Sequence, residues 1–395
     1  MSVAATAPPG AKKRFRMPEL TPLQNALVGA GFLVLFAIIP FFLDEGGLWM
    51  NVLVLGAAYT IMALGLNIIV GFAGLLDLGY VAFFAIGAYV MGYFGSGFWA
   101  DAGGGEGFSL LVGEPASNLP GIHFNFLIIL VLAVIATTIA GILIGLPTLR
   151  LRGDYIAIVT LAFGEIIGRI AINGDEINLL GGKLTAGRQG VTPVDKIDLP
   201  LIERFTALDL RQWYWFALAM VVFVLFVNFR LRDSRLGRAW IALREDEVAA
   251  ASMGVPLVKT KLLAYGTGAA FGGMAGAFLA SYLNTVNADQ FKFSFSIFVL
   301  AAIILGGLGS IWGVVLGAIV LSFINYYLIP EANAWPREWF DLDFELAQLS
   351  FGIFGFLLVI MMVLRPEGLL PERRRQMELE EGIGTDEAVY ETRMP

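Results

Sequence analysis

The chain is a succession of long stretches without one charged residue: Leu20–Leu43, Gly46–Leu76, Leu78–Ala100, Pro115–Leu149, Gln212–Phe229, Leu262–Ala288, Phe293–Pro330 and Leu346–Leu364. A helix needs about 20 apolar residues to cross about 30 Å of hydrocarbon, and most of these stretches suffice for one crossing. Phe293–Pro330 is punctuated by Gly306, Gly307, Gly309 and Gly313, so it reads as two crossings joined by a turn. Tyr155–Ile172 is also apolar, although it carries Glu165 and Arg169. The pattern predicts about ten helices, near 23–43, 48–70, 78–95, 125–146, 154–172, 213–229, 262–284, 294–308, 311–329 and 346–364. The fold class is therefore an all-α, polytopic membrane bundle. A membrane barrel would show alternating strands of about 9–11 residues, not uninterrupted runs twice that long. The first run exceeds a signal-peptide core and no small-residue cleavage pattern follows it, so it reads as a span.

Composition supports the same class and removes several chemistries. Of 395 residues, 15% are charged and 57% hydrophobic, whereas a soluble domain carries about 25% charged residues. Cysteine is absent and His123 is the single histidine, so thiolate nucleophiles, cysteine–zinc centres and histidine metal clusters are excluded. No G-x-x-x-x-G-K-[ST] phosphate loop occurs; Gly182-Lys183 is followed by Leu184. The chain predicts no catalytic residue, metal or cofactor of its own.

Lys and Arg set the orientation. With ten crossings, 18 of the 26 fall on the side of the termini and even-numbered turns, seven fall on the other, and Arg169 lies within a span. Both termini are thus expected in the cytoplasm. The chain divides into an N-terminal tail (1–22), a first bundle segment of about six helices (23–229), a cytoplasmic loop (230–261), a second segment of about four helices (262–364) and a C-terminal tail (365–395).

Glycines four apart recur as Gly141/Gly145, Gly268/Gly272/Gly276 and Gly309/Gly313/Gly317, a spacing that lets helix backbones approach closely. Gly71, Gly74 and Gly79 bracket Asp77, which sits either at the cytoplasmic interface or in a re-entrant segment facing a polar path. Glu165 and Arg169 are placed to pair across one turn. An ionised side chain at mid-membrane costs about 2.5–3.5 kcal/mol on insertion scales, so such groups read as buried structural pairs or as functional sites. Asn67 suits an inter-helix hydrogen bond, and His123 reads as a surface residue at the outer interface. The Gly-rich segment Gly181–Val191 follows the fifth span on the outer side.

The cytoplasmic loop is the most informative non-membrane piece. Arg238–Ser252 has neither Pro nor Gly inside and predicts one short helix, stopped by Gly254 and Pro256. Its middle is small (Ala249, Ala250, Ala251), with Asp246 and Glu247 ahead. That suits a ridge fitting a protein groove better than a lipid-inserting face, which needs bulky apolar groups.

Three stretches carry a resemblance: GLLDLGYVAFFAIGAY (Gly74–Tyr89), REDEVAAASMGV (Arg244–Val255) and GGLGSIWGVVLGA (Gly306–Ala318). Together they resemble the LivM-type permeases of bacterial branched-chain amino-acid ABC importers, over nearly the whole chain. The resemblance implies a bacterial inner-membrane subunit that pairs with a homologous permease, two cytoplasmic ATPases that hold the ATP and Mg, and a periplasmic amino-acid-binding protein. Lipid is the surrounding medium, and no nucleic-acid partner is implied. The family's ATPase-coupling pattern resembles E-A-A-x-x-x-G. Ala249, Ala250 and Gly254 match it, but Val248 stands at the Glu position with Glu247 one residue earlier, and Asp246 adjoins. A T-G-G pattern of the outer loop reads Thr185-Ala186-Gly187 here, with Gln189 nearby. Asn67, Asp77, Tyr80, Thr185 and Gln189 are the candidates for the substrate pathway. Two alternatives stand beside this reading: a urea or short-amide permease on the same scaffold, and an ion-coupled carrier using Asp77 or Glu165.

Overall fold

The computed structural model describes residues 34, 36–100, 107–112, 120–148, 151, 154–179, 182–198, 205, 206, 208–334, 349–365 and 367–370. The chain separates into residues 1–43 and 44–395. In the first unit the described part includes a 3-10 turn, Ile39–Phe42, opened by Pro40. Most of the expected span at 23–43, and nearly all of both tails, lies outside the described residues.

The second unit is built from helices α1 (Leu48–Asn67), α2 (Val81–Phe94), α3 (Phe126–Thr148), α4 (Asp154–Asn173), α5 (Arg211–Asp233), α6 (Arg235–Glu245), α7 (Glu247–Ser252), α8 (Leu257–Leu283), α9 (Phe293–Gly306), α10 (Ile311–Phe323) and α11 (Ser350–Leu364). Counting the turns that prolong α1 and α10, six are long and apolar enough to cross a membrane among the described residues, and α2, α9 and α11 are shorter apolar helices. Among the described residues, helices stand at nine of the ten expected positions with shifted edges, six of them long enough to cross. The helix expected at 78–95 starts only at Val81, α5 runs four residues past Phe229 to Asp233, and α8 begins at Leu257 rather than 262.

The centre of the bundle is α8, packed against α3, α2 and α1. Residues around all of α1 are buried, as in a helix enclosed by others. Close approach depends on glycine. A Cβ on Gly141 of α3 would lie 2.6 Å from the Ala269 side chain of α8 and 2.8 Å from the Tyr265 carbonyl, and one on Gly87 of α2 would collide with the Gly273 backbone. The Gly268/Gly272/Gly276 ladder does face α1 and α2. The third expected ladder is broken: Gly309 lies in the turn before α10 at φ +85°, and only Gly313 and Gly317 stand on that helix.

Among the described residues, two helices end in a widened π-turn, Ile68–Phe72 after α1 and Ile324–Leu328 after α10. π-turns are rare and recur at functional positions. Five short strands among the described residues modify the all-α expectation. β1 (Gly95–Ser96), β3 (Ile122–Phe124) and β2 (Phe108–Leu110) form one sheet in that order, and β4 (Asn178–Leu179) pairs with β5 (Gly182–Lys183). They cap the end of the bundle opposite α6 and α7. His123 belongs to this cap, and its expected surface position is corrected. The ring is 4% exposed and its Nδ1 lies 2.6 Å from the Asp195 carboxylate, itself 3% exposed. Burying a charged group favours pairing it, and the Asp195 backbone is held further by the Gly95 carbonyl at 2.6 Å and by the Ser281 hydroxyl at 2.8 Å.

Candidate functional site

The loop element differs from the single helix expected at 238–252. It is two helices broken at Asp246, which is extended (φ −154°, ψ 113°). The residue explains the break: its carboxylate accepts from the backbone N–H of Val248 at 2.7 Å and of Ala249 at 3.0 Å, capping α7. A short acidic side chain competes for backbone donors in this way more strongly than it propagates a helix. Ser234 caps α6 by accepting from Gly237 N–H at 3.1 Å. At the far end Gly254 takes φ +85° with nothing within 4 Å of where a Cβ would be. Val255 N–H reaches back to the Ala250 carbonyl at 3.0 Å, closing the helix in the manner of a left-handed C-terminal cap.

The element is pinned at three points. Trp240 is wholly buried and its indole N–H donates to the Thr260 carbonyl at 2.9 Å. Lys261, 2% exposed, donates to the Glu247 carboxylate at 2.7 Å. Arg244 donates to the Gly71 carbonyl, inside the π-turn of α1, at 2.6 Å. Of the residues singled out in the sequence, Asp246 therefore works as a cap, Glu247 turns toward α8, and Ala250 is buried beneath α7. Ala249 and Gly254 stay exposed beside Val248 and Met253, which are 62% and 86% exposed. The outward surface of α7 is made of Val248, Ala249, Ala251 and Ser252, with the exposed Asp246 at its start.

Arg244 leads to the second feature. After the π-turn, residues 73–80 run as non-helical chain between α1 and α2. Gly74 turns the chain at φ +69°, and a Cβ there would sit 2.7 Å from Arg244 Cγ. Asp77 is 2% exposed, so its carboxylate is folded into the protein. One carboxylate oxygen accepts from Gly79 N–H at 2.8 Å, while the other has no partner. The segment is stitched to its surroundings: Leu78 N–H donates to the Thr160 hydroxyl of α4 (3.0 Å), Val81 N–H to Ser296 of α9 (3.0 Å), and the Tyr80 hydroxyl to the Gly268 carbonyl of α8 (2.9 Å). Asn67 is fully buried, accepts from Gly309 N–H at 3.0 Å, and leaves its amide nitrogen unpartnered. Asn67, Asp77 and Tyr80 thus lie around one break in the helices, where the structure brings α1, α2, α4, α6, α8 and α9 together.

Thr185 and Gln189 belong elsewhere. Thr185 is buried and donates to the Ala171 carbonyl near the end of α4 at 3.0 Å, and Gln189 is exposed. Thr160 and Ala171 are eleven residues apart, roughly 16 Å of helix rise, so the five pathway candidates form two groups at different depths. Glu165 and Arg169 do not form the expected ion pair, and the buried placement is also corrected: both side chains are exposed on α4, with no ion pair to either among the described residues. Sequence reasoning missed Arg244, Lys261 and Thr160. Nothing in spacing separates Arg244 from the other loop cations, but Lys261 was legible as a cation at the start of an apolar run, a place that demands a counter-charge.

Apolar helices long enough to cross a membrane, packed around a buried polar break and carrying a short helix pair at one end, are the architecture of a multi-pass membrane protein. The family model described as "Branched-chain amino acid transport system / permease component" matches residues 48–363, and the chain belongs to that family. Among its relatives, the high-affinity branched-chain amino acid transport system permease protein LivM of Salmonella typhimurium (strain LT2) is 35% identical over 93% of this chain and 81% of its own length. LivM of Escherichia coli (strain K12) is 35% identical over 95% and 82%. LivH of the same Escherichia coli strain, a permease protein of the system with the same name, is 27% identical over 42% of this chain and 48% of its own. No solved structure matches the chain.

Proposed function

We propose that the chain is the permease subunit of an ATP-driven importer that carries branched-chain amino acids (Leu, Ile or Val) across the bacterial inner membrane. Identity of 35% over 93–95% of this chain and 81–82% of its LivM relatives carries this reading. In it, the chain crosses the membrane about ten times with both termini in the cytoplasm, in line with the Lys and Arg bias of the loops. A homologous permease stands beside it; similarity to both LivM and LivH supports two related permeases in one system. Two cytoplasmic ATPases hold ATP and Mg, a periplasmic protein delivers the solute, and this chain binds no cofactor and catalyses no reaction.

The α6–α7 pair is the docking element. An ATPase groove receives the exposed Val248, Ala249, Met253 and Gly254, while Asp246, Glu247 and Ala250 keep α7 in shape and in place. Arg244 passes its displacement to the π-turn of α1 and so to the break at 73–80. Asn67, Asp77 and Tyr80 would shape the cytoplasmic end of the path and Thr185 and Gln189 its outer mouth, acting from the side of α4 that packs into the bundle. Affinity purification of the tagged chain in mild detergent tests the assembly: an ATPase, a second permease and ATP hydrolysis in the eluate are expected, and an eluate without any of them refutes it.

A further inference from the structure

The outer faces of the spanning helices are alike except on one. On α3 the exposed positions include Leu127, Val131, Ile135, Ile139, Leu143 and Leu146, and all are apolar. On α11 they include Phe356, Val359, Ile360 and Val363, and on α5 Phe223 and Phe226. Such faces meet lipid at no electrostatic cost. The exposed stripe of α4 is Tyr155, Ile158, Ala162, Glu165, Ile166, Arg169 and Asn173. These residues recur at helical spacing, so they share one side, while Ile156, Ala157, Thr160, Gly164 and Ala171 of the opposite side are buried. Among the described residues, α4 is the one span that exposes ionised side chains a full turn or more from its ends. Glu165 lies near the middle of the helix, eleven residues from one end and eight from the other.

Opposite charges at i and i+4, with Glu first, ordinarily close on each other. Here they do not pair. Two open charges of opposite sign, about one helical turn apart on an otherwise apolar face, do not suit lipid. They suit a group that itself carries both signs. A free α-amino acid does: its ammonium and carboxylate are adjacent, and both lose water on entering a protein. Ile158, Ala162 and Ile166 beside the charges offer an apolar surface of the kind an aliphatic side chain covers.

We propose that this face of α4 borders the solute path, and that Glu165 and Arg169 receive the ammonium and the carboxylate of the passing amino acid. The proposal rests on the importer reading and deepens it. It makes the two side chains determinants of specificity, because urea or an uncharged amide has no counterpart for either charge.

The test uses the complete reconstituted complex with its binding protein in proteoliposomes. ATP-dependent uptake of L-leucine by the wild type is measured first, and its absence counts against the importer reading rather than this site. Given that uptake, Glu165→Gln and Arg169→Gln are each expected to lower it at least tenfold, with Arg169→Lys recovering a substantial part. Uptake within twofold of wild type in both Gln variants overturns the proposal. A complex that fails to assemble with these changes leaves a second arm. The chain has no cysteine of its own, so Ala162→Cys provides a single thiol. Modification of that thiol by a membrane-impermeant, charged thiosulfonate, slowed by L-leucine, is expected. Modification only by a lipid-soluble maleimide, or cross-linking to a neighbouring subunit without access for the charged reagent, overturns it.

Discussion

Arg244 links the α6–α7 pair to the bundle, and its replacement tests whether that link transmits motion. Its guanidinium donates to the Gly71 carbonyl at 2.6 Å, within the π-turn that precedes the buried break. A hydrogen bond from a charged donor contributes about 1.5–3 kcal/mol, and about 1.4 kcal/mol is a factor of ten in an equilibrium. Arg244→Ala should therefore shift the balance between attached and detached loop by about ten- to a hundredfold toward the detached form. The caps made by Ser234 and Asp246, the Trp240 anchor and the Lys261–Glu247 pair are untouched, so α6 and α7 should still fold and still engage the ATPases. The expected outcome in proteoliposomes is ATP hydrolysis near the wild-type rate with leucine uptake reduced about tenfold or more. Arg244→Lys, which keeps a charged donor but lacks the planar fork, should fall between. Unchanged uptake in Arg244→Ala refutes the transmission argument. So does a parallel loss of hydrolysis and uptake, which would make the residue one of assembly alone.

Other perturbations read different parts of the account. Ala250→Arg forces a long cation beneath α7, where the alanine is 5% exposed; membrane insertion should persist while coupled uptake is lost, measured by fractionation and leucine uptake. Gly141→Ala places a methyl group 2.6 Å from the Ala269 side chain, and overpacking of this kind costs about 1–3 kcal/mol, so the detergent-solubilised protein should unfold at a lower temperature in a fluorescence melt. Single cysteines at 183–190 should react with impermeant reagents from the periplasm and those at 244–252 from the cytoplasm alone; reversed access would invert the proposed topology.

The helices were legible because a span leaves a signal about 20 residues long that one misplaced residue cannot hide. Interruptions were less so. The helix across 238–252 was expected from propensity, and Asp246 broke it, because propensity weighs a residue's average cost and not whether its carboxylate finds two N–H donors nearby. Neighbouring glycines single out Asp77, yet the chain just after it, at Leu78, Tyr80 and Val81, is held by Thr160, Gly268 and Ser296, which arrive from distant parts of the chain. His123 was misplaced for the same reason: its partner Asp195 lies 72 residues away, in a loop with no pattern of its own. Glu165 and Arg169 have the spacing of an ion pair, and spacing alone does not reveal which side of a helix the rest of the bundle covers.

Leucine uptake by the reconstituted complex, with either ATP or an ion gradient as the sole energy source, tests the whole scheme most directly. Uptake should require ATP and cease when the partner ATPases carry a replaced phosphate-loop lysine. Uptake sustained by a proton or sodium gradient without ATP, and abolished by Asp77→Asn, would contradict it.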